Sequence, residues 1–145
     1  MFFDWREELV TGIDEIDAEH RELFKRAGIL QSACMAAKGQ EELARHLWYL
    51  KRYVRKHFGD EEKLQTRYSF PAYPEHKAQH DWFRNELRRI EEQYAREGTS
   101  TGLVIKVNHL MFHWFRDHIL RFDRELAAFL RQAAPPRGTG NEPAT

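Results

Sequence analysis

Hydrophobic residues recur at every third or fourth position through four long stretches of this chain, the pattern of helices that each turn one face toward a common core. The first stripe runs Ile16, His20, Leu23, Ala27, Leu30 and Cys34, and the second Leu43, Leu47, Leu50, Val54, His57, Glu61, Leu64 and Tyr68. The third is Tyr73, His76, His80, Phe83, Leu87, Ile90 and Tyr94, and the fourth includes Val104, Val107, Met111, Trp114, Phe115, Ile119, Phe122, Leu126 and Phe129. Asp17 predicts the N-cap of a first helix that reaches about Lys38, with Gly39 closing it. The second helix is expected from about Glu41 to Tyr68. Pro71 and Pro74 start the third, Gly98 ends it, and Thr99 to Thr101 offer caps for a fourth from about Gly102 to Gln132.

The expected fold class is therefore all-α, an up-down-up-down antiparallel four-helix bundle over residues 1–132. Within it residues 1–16, with Phe2, Phe3 and Trp5, read as an extended N-terminal arm whose aromatics pack on the bundle. Residues 133–145 have the composition of a disordered tail.

Composition narrows the function more than it names it. At 145 residues the chain is long enough to bury one core without staples. Its 23 acidic and 23 basic residues balance, so no charge field points to nucleic acid. The single cysteine, Cys34, excludes an internal disulfide and reads as a buried structural thiol. No apolar run is long enough for membrane insertion or a signal peptide, so the expected location is cytoplasmic.

The informative positions are the polar ones inside the apolar stripes. His76 and His80 lie one turn apart on the same inward face, and so do His57 and Glu61; His20 occupies a core position of the first helix. An isolated inward histidine is ordinarily a satisfied core residue, but a buried carboxylate costs several kcal/mol unless a cation compensates it. For the carboxylate, Glu62 is the alternative if the register is off by one. On the fourth helix His118 is bracketed by Met111, Trp114, Phe115 and Phe122 and faces inward, whereas His109, His113 and Asp117 share a polar flank. Asp123, five residues after His118, is rotated about 140° from it on an ideal helix and is expected at the edge of the stripe. His46, beside Arg45 and Trp48, is expected at the surface.

Heights along the bundle agree with a shared site across the first and last loops and match less well, by about one turn, across the middle loop near residue 70. Each helix rises about 1.5 Å per residue, so residues equidistant from a loop lie at one level. His20 lies about 19 residues before the first loop, and the midpoint of His57 and Glu61 about 19 after it. The midpoint of His76 and His80 lies about 21 residues before the last loop, and that of His118 and Asp123 about 21 after it. Five imidazoles and two carboxylates exceed what one tetrahedral ion uses, and nitrogen with carboxylate oxygen suits iron or manganese. A dinuclear iron site is the simplest count.

These residues resemble the hemerythrin family in its single-domain bacterial form, over about Trp5 to Leu130. The motifs that carry the likeness are IDAEH ending in His20, HFGDEE from His57, the proline-led run ending in His76 and His80, and HILRFD from His118 to Asp123. The resemblance implies two iron ions bridged by Glu61, Asp123 and an oxo or hydroxo group. His76, His80 and His118 would fill one ion, and His20 and His57 would hold the other, leaving it a place for dioxygen. It also implies an oxygen pocket lined by Leu23, Phe58, Phe115 and Ile119. Phe115, Gln65, Glu19 and Phe70 depart from the leucine, methionine, glutamine and tyrosine common in the family.

The implied function is reversible dioxygen binding for storage, delivery or scavenging, not an enzyme activity. The alternatives are an oxygen or redox sensor acting through a separate partner, and a di-iron oxidase. The single-domain reading favours a carrier over a sensor. The histidine-rich donor set, without paired Glu-x-x-His motifs, disfavours oxidase chemistry.

Overall fold

The computed structural model describes residues 5–133, and Phe2, Phe3 and the tail beyond Ala133 lie outside the described residues. Four helices form the bundle among the described residues. Helix α1 is Asp14–Met35. Helix α2 runs without a break through Gly39–Tyr53, the π-turn Val54–Phe58 and Gly59–Arg67, because the junction residues keep right-handed helical angles. Helix α3 is Tyr73–Glu97, with Pro74 in its first turn. Helix α4 joins Thr101–Leu110, the π-turn Met111–Phe115, Arg116–His118, the π-turn Ile119–Asp123 and Arg124–Ala133. The loops between them are short, so successive helices run antiparallel, and α1 closes the bundle against α4. No helix among the described residues is long and apolar enough to cross a membrane.

The helix ends differ from expectation in instructive ways. Asp17 is not the N-cap of α1; it lies in the first turn, after Ile13 at the cap position. Its carboxylate reaches back, accepting hydrogen bonds from the Thr11 amide at 2.8 Å, the Thr11 hydroxyl at 2.7 Å and the Gly12 amide at 3.1 Å. Arg131, near the end of α4, donates to the Thr11 carbonyl oxygen. Gly12 has φ +88°, a conformation that favours glycine, and a Cβ there would sit 2.9 Å from the Arg131 guanidinium, which would have to shift. Upstream, Trp5 packs edge-on against Phe24 at 5.7 Å and Leu9 is buried. The described part of the arm is thus pinned to the bundle.

Gly39 does not cap α1 either. Ala37 takes the left-handed conformation, φ 61°, and the Lys38 amide donates back to the Ala33 carbonyl, the bond that closes a Schellman motif. Gly39 instead opens α2 as a buried residue. A Cβ on it would meet Cys34 Sγ at 2.8 Å and Val104 at 3.0 Å, so its bareness lets three helices converge. Cys34 is half-buried rather than buried, and Asn108 Nδ2 donates to its sulfur at 3.1 Å. Ser69, φ 55°, ends α2 in the same left-handed way, and Ser100 caps α4 by accepting the Leu103 amide.

His46 corrects the surface expectation. It is buried between α1 and α2, where it lines a small cavity with Arg26, Ile29, Leu30, Glu42 and Arg45. Burial, aided by the Arg26 charge, pushes its imidazole down to about 4. A histidine depressed below its unfolded value near 6.5 is neutral in the fold and takes up a proton on unfolding. Its contribution is therefore intact above about pH 6.5 and is lost as pH falls toward 4, to a limit of about 3 kcal/mol. Accordingly, His46→Leu should show a flatter fall of denaturant midpoint than the parent chain between those pH values. Parallel pH profiles for the two proteins would refute this.

Candidate metal centre

Seven polar side chains from all four helices meet in the middle of the core, and each is at most 2% exposed: His20, His57, Glu61, His76, His80, His118 and Asp123. Their ligand atoms fall into two groups that share both carboxylates. One comprises His76, His80 and His118 with Glu61 and Asp123; the other comprises His20 and His57 with the same two. In the first, His80 Nε2 lies 3.1 Å from Glu61 Oε1, and His76 and His118 lie 3.1 and 3.0 Å from Asp123 Oδ1. In the second, His20 lies 2.9 Å from Asp123 Oδ2 and His57 lies 3.3 Å from Glu61 Oε2. Each carboxylate thus offers one oxygen to each group, the disposition of a bridge.

Asp123 reaches this position by a route an ideal helix does not provide. The segment Ile119–Asp123 is a π-turn, whose bonds join residues five apart and so bring Asp123 nearly over His118. The edge-of-stripe expectation is replaced by a locally widened helix. The π-turn Val54–Phe58 acts similarly on α2. Tyr53 and Val54, then His57 and Phe58, are buried as adjacent pairs, and Gln65 rather than Leu64 becomes the fully buried residue beyond Glu61.

The cluster fits metal ions better than it fits itself. His20 and His57 point their Nε2 atoms at each other across 3.1 Å, and His76 and His118 do so across 3.2 Å. Two nitrogens bound at right angles to one ion, each about 2.1 Å away, would be about 3.0 Å apart. Both oxygens of Glu61, both of Asp123, and His80 Nε2 are buried without a hydrogen-bond partner among the described residues. Such a concentration of unsatisfied donor atoms is uncommon in a core and is what cations would satisfy.

Electrostatics agrees. Burial alone would depress His57, but Glu61, Glu19 and Asp123 overcome it and raise the imidazole to about 10. His76 is likewise raised against burial, to about 9, by Asp123 and Glu61. Burial prevails at His118, which stays below its ordinary value although Asp123 and Glu61 pull it upward. Burial would raise Glu61 and Asp123, yet the surrounding imidazoles hold both well below the usual carboxylate range. Both carboxylates are therefore ionised, and in the metal-free chain the protonated imidazoles of His57 and His76 balance them in the place that cations would take.

Two residues that matter here were not identified as participants from sequence. Glu19 accepts from His57 Nδ1 at 2.6 Å and is itself braced by Lys56 at 3.3 Å. Glu62 accepts from His80 Nδ1 at 2.8 Å and from Arg84 at 2.8 Å. Each fixes the tautomer that leaves Nε2 free and aims the ring inward. The Glu61 or Glu62 ambiguity thus resolves into two tasks: Glu61 faces His80 on its Nε2 side and Glu62 on its Nδ1 side. The available signal was a carboxylate adjoining a candidate ligand in sequence, as Glu19 adjoins His20 and Glu62 adjoins Glu61.

Aromatic rings fix the remaining imidazole planes. Phe58 stacks on His80 at 3.9 Å, Tyr53 on His57 at 4.8 Å, and Trp114 and Phe122 sandwich His118 at 4.5 and 5.5 Å. Leu23, Phe58, Phe115 and Ile119, the expected pocket residues, are all buried in the main core. His109 and His113 stand together on the exposed flank of α4, rings 4.1 Å apart, away from this centre.

Comparison with known proteins agrees with this geometry. A family model described as the hemerythrin HHE cation binding domain matches residues 11–130. A bacteriohemerythrin of Clostridium acetobutylicum is 28% identical over 137 residues, covering 85% of this chain and 97% of that protein. One from Pseudomonas paraeruginosa is 27% identical over 119 residues, covering 82% of this chain and 75% of its own. The hemerythrin subunit alpha of Lingula reevii is 25% identical over 108 residues, with coverage of 74% and 86%.

Proposed function

The chain belongs to the hemerythrin family and is a di-iron, oxygen-binding protein, and from that premise we propose that it binds dioxygen reversibly, as a cytoplasmic store, carrier or scavenger and not as an enzyme. In this reading His76, His80 and His118 would hold one iron, His20 and His57 would hold the other, and Glu61 and Asp123 would serve both. The observation that carries the reading is the unequal division of imidazoles, three to two, between groups that share both carboxylates. The two-imidazole group would leave its ion short of one protein ligand, and a ferrous pair held there would supply the electrons for dioxygen binding.

The chain's own residues then make the binding reversible. Leu23, Phe58, Phe115 and Ile119 exclude water and protons, which would otherwise release reduced oxygen and leave both irons ferric. Glu19 and Glu62 keep the His57 and His80 rings aimed while the charge at the centre changes. The excess of imidazole over carboxylate supports a binding role over oxidase chemistry, since fewer anionic donors stabilise high-valent iron less well.

The test is the optical spectrum of protein loaded anaerobically with ferrous iron, exposed to oxygen and then flushed with inert gas. Two irons per chain and a visible charge-transfer band that appears and then disappears are expected. Immediate conversion to a stable ferric form would overturn the carrier reading. Within the same assay, Phe115→Leu should raise the autoxidation rate several-fold, because a smaller side chain admits water, while iron content stays the same. An unchanged rate would remove Phe115 from the pocket.

A further inference from the structure

We propose that the phenol of Tyr53 is the hydrogen-bond donor to the small molecule seated on the ion held by His20 and His57; the inference rests on the di-iron reading above. Tyr53 is 6% exposed, and its hydroxyl is buried with no hydrogen-bond partner among the described residues. Its ring stacks on that of His57, centroids 4.8 Å apart and planes 21° from parallel. It meets Phe115 edge-on at 5.5 Å and Phe58 at 6.3 Å. The ring is therefore a wall of the same pocket, on the side of the ion with only two imidazoles. Its hydroxyl also lies within electrostatic range of both bridging carboxylates.

Burying a phenol O–H without an acceptor is costly, and buried tyrosines ordinarily find a partner. Phenylalanine would fill the same space, make the same ring contacts and leave no donor unpaired. The other pocket residues, Leu23, Phe58, Phe115 and Ile119, have no polar hydrogen to offer. Beside those four, Tyr53 brings a side-chain donor to that wall. The ligand it suits is small and linear, with a lone pair or developing negative charge on its outer atom: dioxygen that has accepted electron density, or an anion such as azide. A hydrogen bond that forms only when the pocket is filled stabilises the bound molecule and slows its escape.

The experiment uses azide as the probe on the full-length protein loaded with ferric iron, so it does not depend on reversible oxygen binding. Tyr53→Phe should keep both irons and should leave the unfolding midpoint of the metal-free chain equal or higher, since an unpaired group is removed. Azide should bind the variant roughly five-fold more weakly, the equivalent of one lost hydrogen bond. The stretching band of bound azide should shift on exchange from H2O to D2O in the parent protein, and that shift should vanish in the variant. Tyr49→Phe, altering a neighbouring ring 6.0 Å from Tyr53, should behave as the parent. Equal azide affinity with no solvent-isotope shift in either protein would overturn the assignment. Loss of iron from Tyr53→Phe would overturn it too, because the phenol would then serve the metal centre itself. Failure of the parent to release oxygen would count against the carrier reading alone.

Discussion

Replacing His118 with alanine should reduce bound iron from two ions per chain to one or none, whereas His113→Ala should leave both in place. The two histidines are five residues apart on one helix, yet their surroundings are opposite. His118 is 2% exposed, sandwiched between Trp114 and Phe122, with Nε2 3.0 Å from Asp123. Its loss removes one imidazole from the three-imidazole group and takes from Asp123 a neighbour that helps hold its carboxylate ionised. His113 lies on the exposed flank beside His109. Metal analysis after anaerobic loading decides the matter, and the far-ultraviolet dichroism of each variant guards against unfolding as the cause. Equal iron loss from both would mean that the inward face of α4 has been assigned to the wrong residues.

Iron should also hold the fold together, and the chelator-stripped chain should unfold at least about 10 °C below the loaded one. Glu61 and Asp123 are each 1% exposed, and the effective cost of burying an ion is several kcal/mol before compensation. A metal that binds the folded chain alone stabilises it by about 4 kcal/mol when present at roughly a thousand-fold over its dissociation constant. For a domain of this length each kcal/mol moves the midpoint by about 3 to 4 °C. Calorimetry of the stripped and anaerobically loaded protein measures the difference. His118→Ala should show only part of it. Identical midpoints for stripped and loaded parent protein would mean that the buried cluster is not where iron binds.

Much of this architecture was legible in the chain alone, because helical periodicity is a local property. The stripes through Leu43 to Glu61 and through His76 to Ile90 mark inward faces whatever the neighbours do. A histidine or glutamate on such a face is anomalous by itself, and short loops force successive helices to run antiparallel. The inward placement of His20, His57, Glu61, His76, His80 and His118 follows from those local facts, whereas Asp123 is expected only at the edge of its stripe.

What only the tertiary structure decided depends on how one helix is rotated and spaced against another. His46, beside Arg45 and Trp48 in sequence, reads as surface, yet α1 covers it. Glu19 and Glu62 lie off the inward stripes, and only the approach of His57 and His80 from other helices gives them their tasks. The π-turns are the deepest instance. An extra residue in a turn costs local hydrogen-bond geometry and has no marker in the apolar period, but it is sustained where packing and a carboxylate's reach toward facing histidines favour it. Local sequence thus determined which helix faces turn inward, while packing between helices determined which further residues are covered and where their atoms converge.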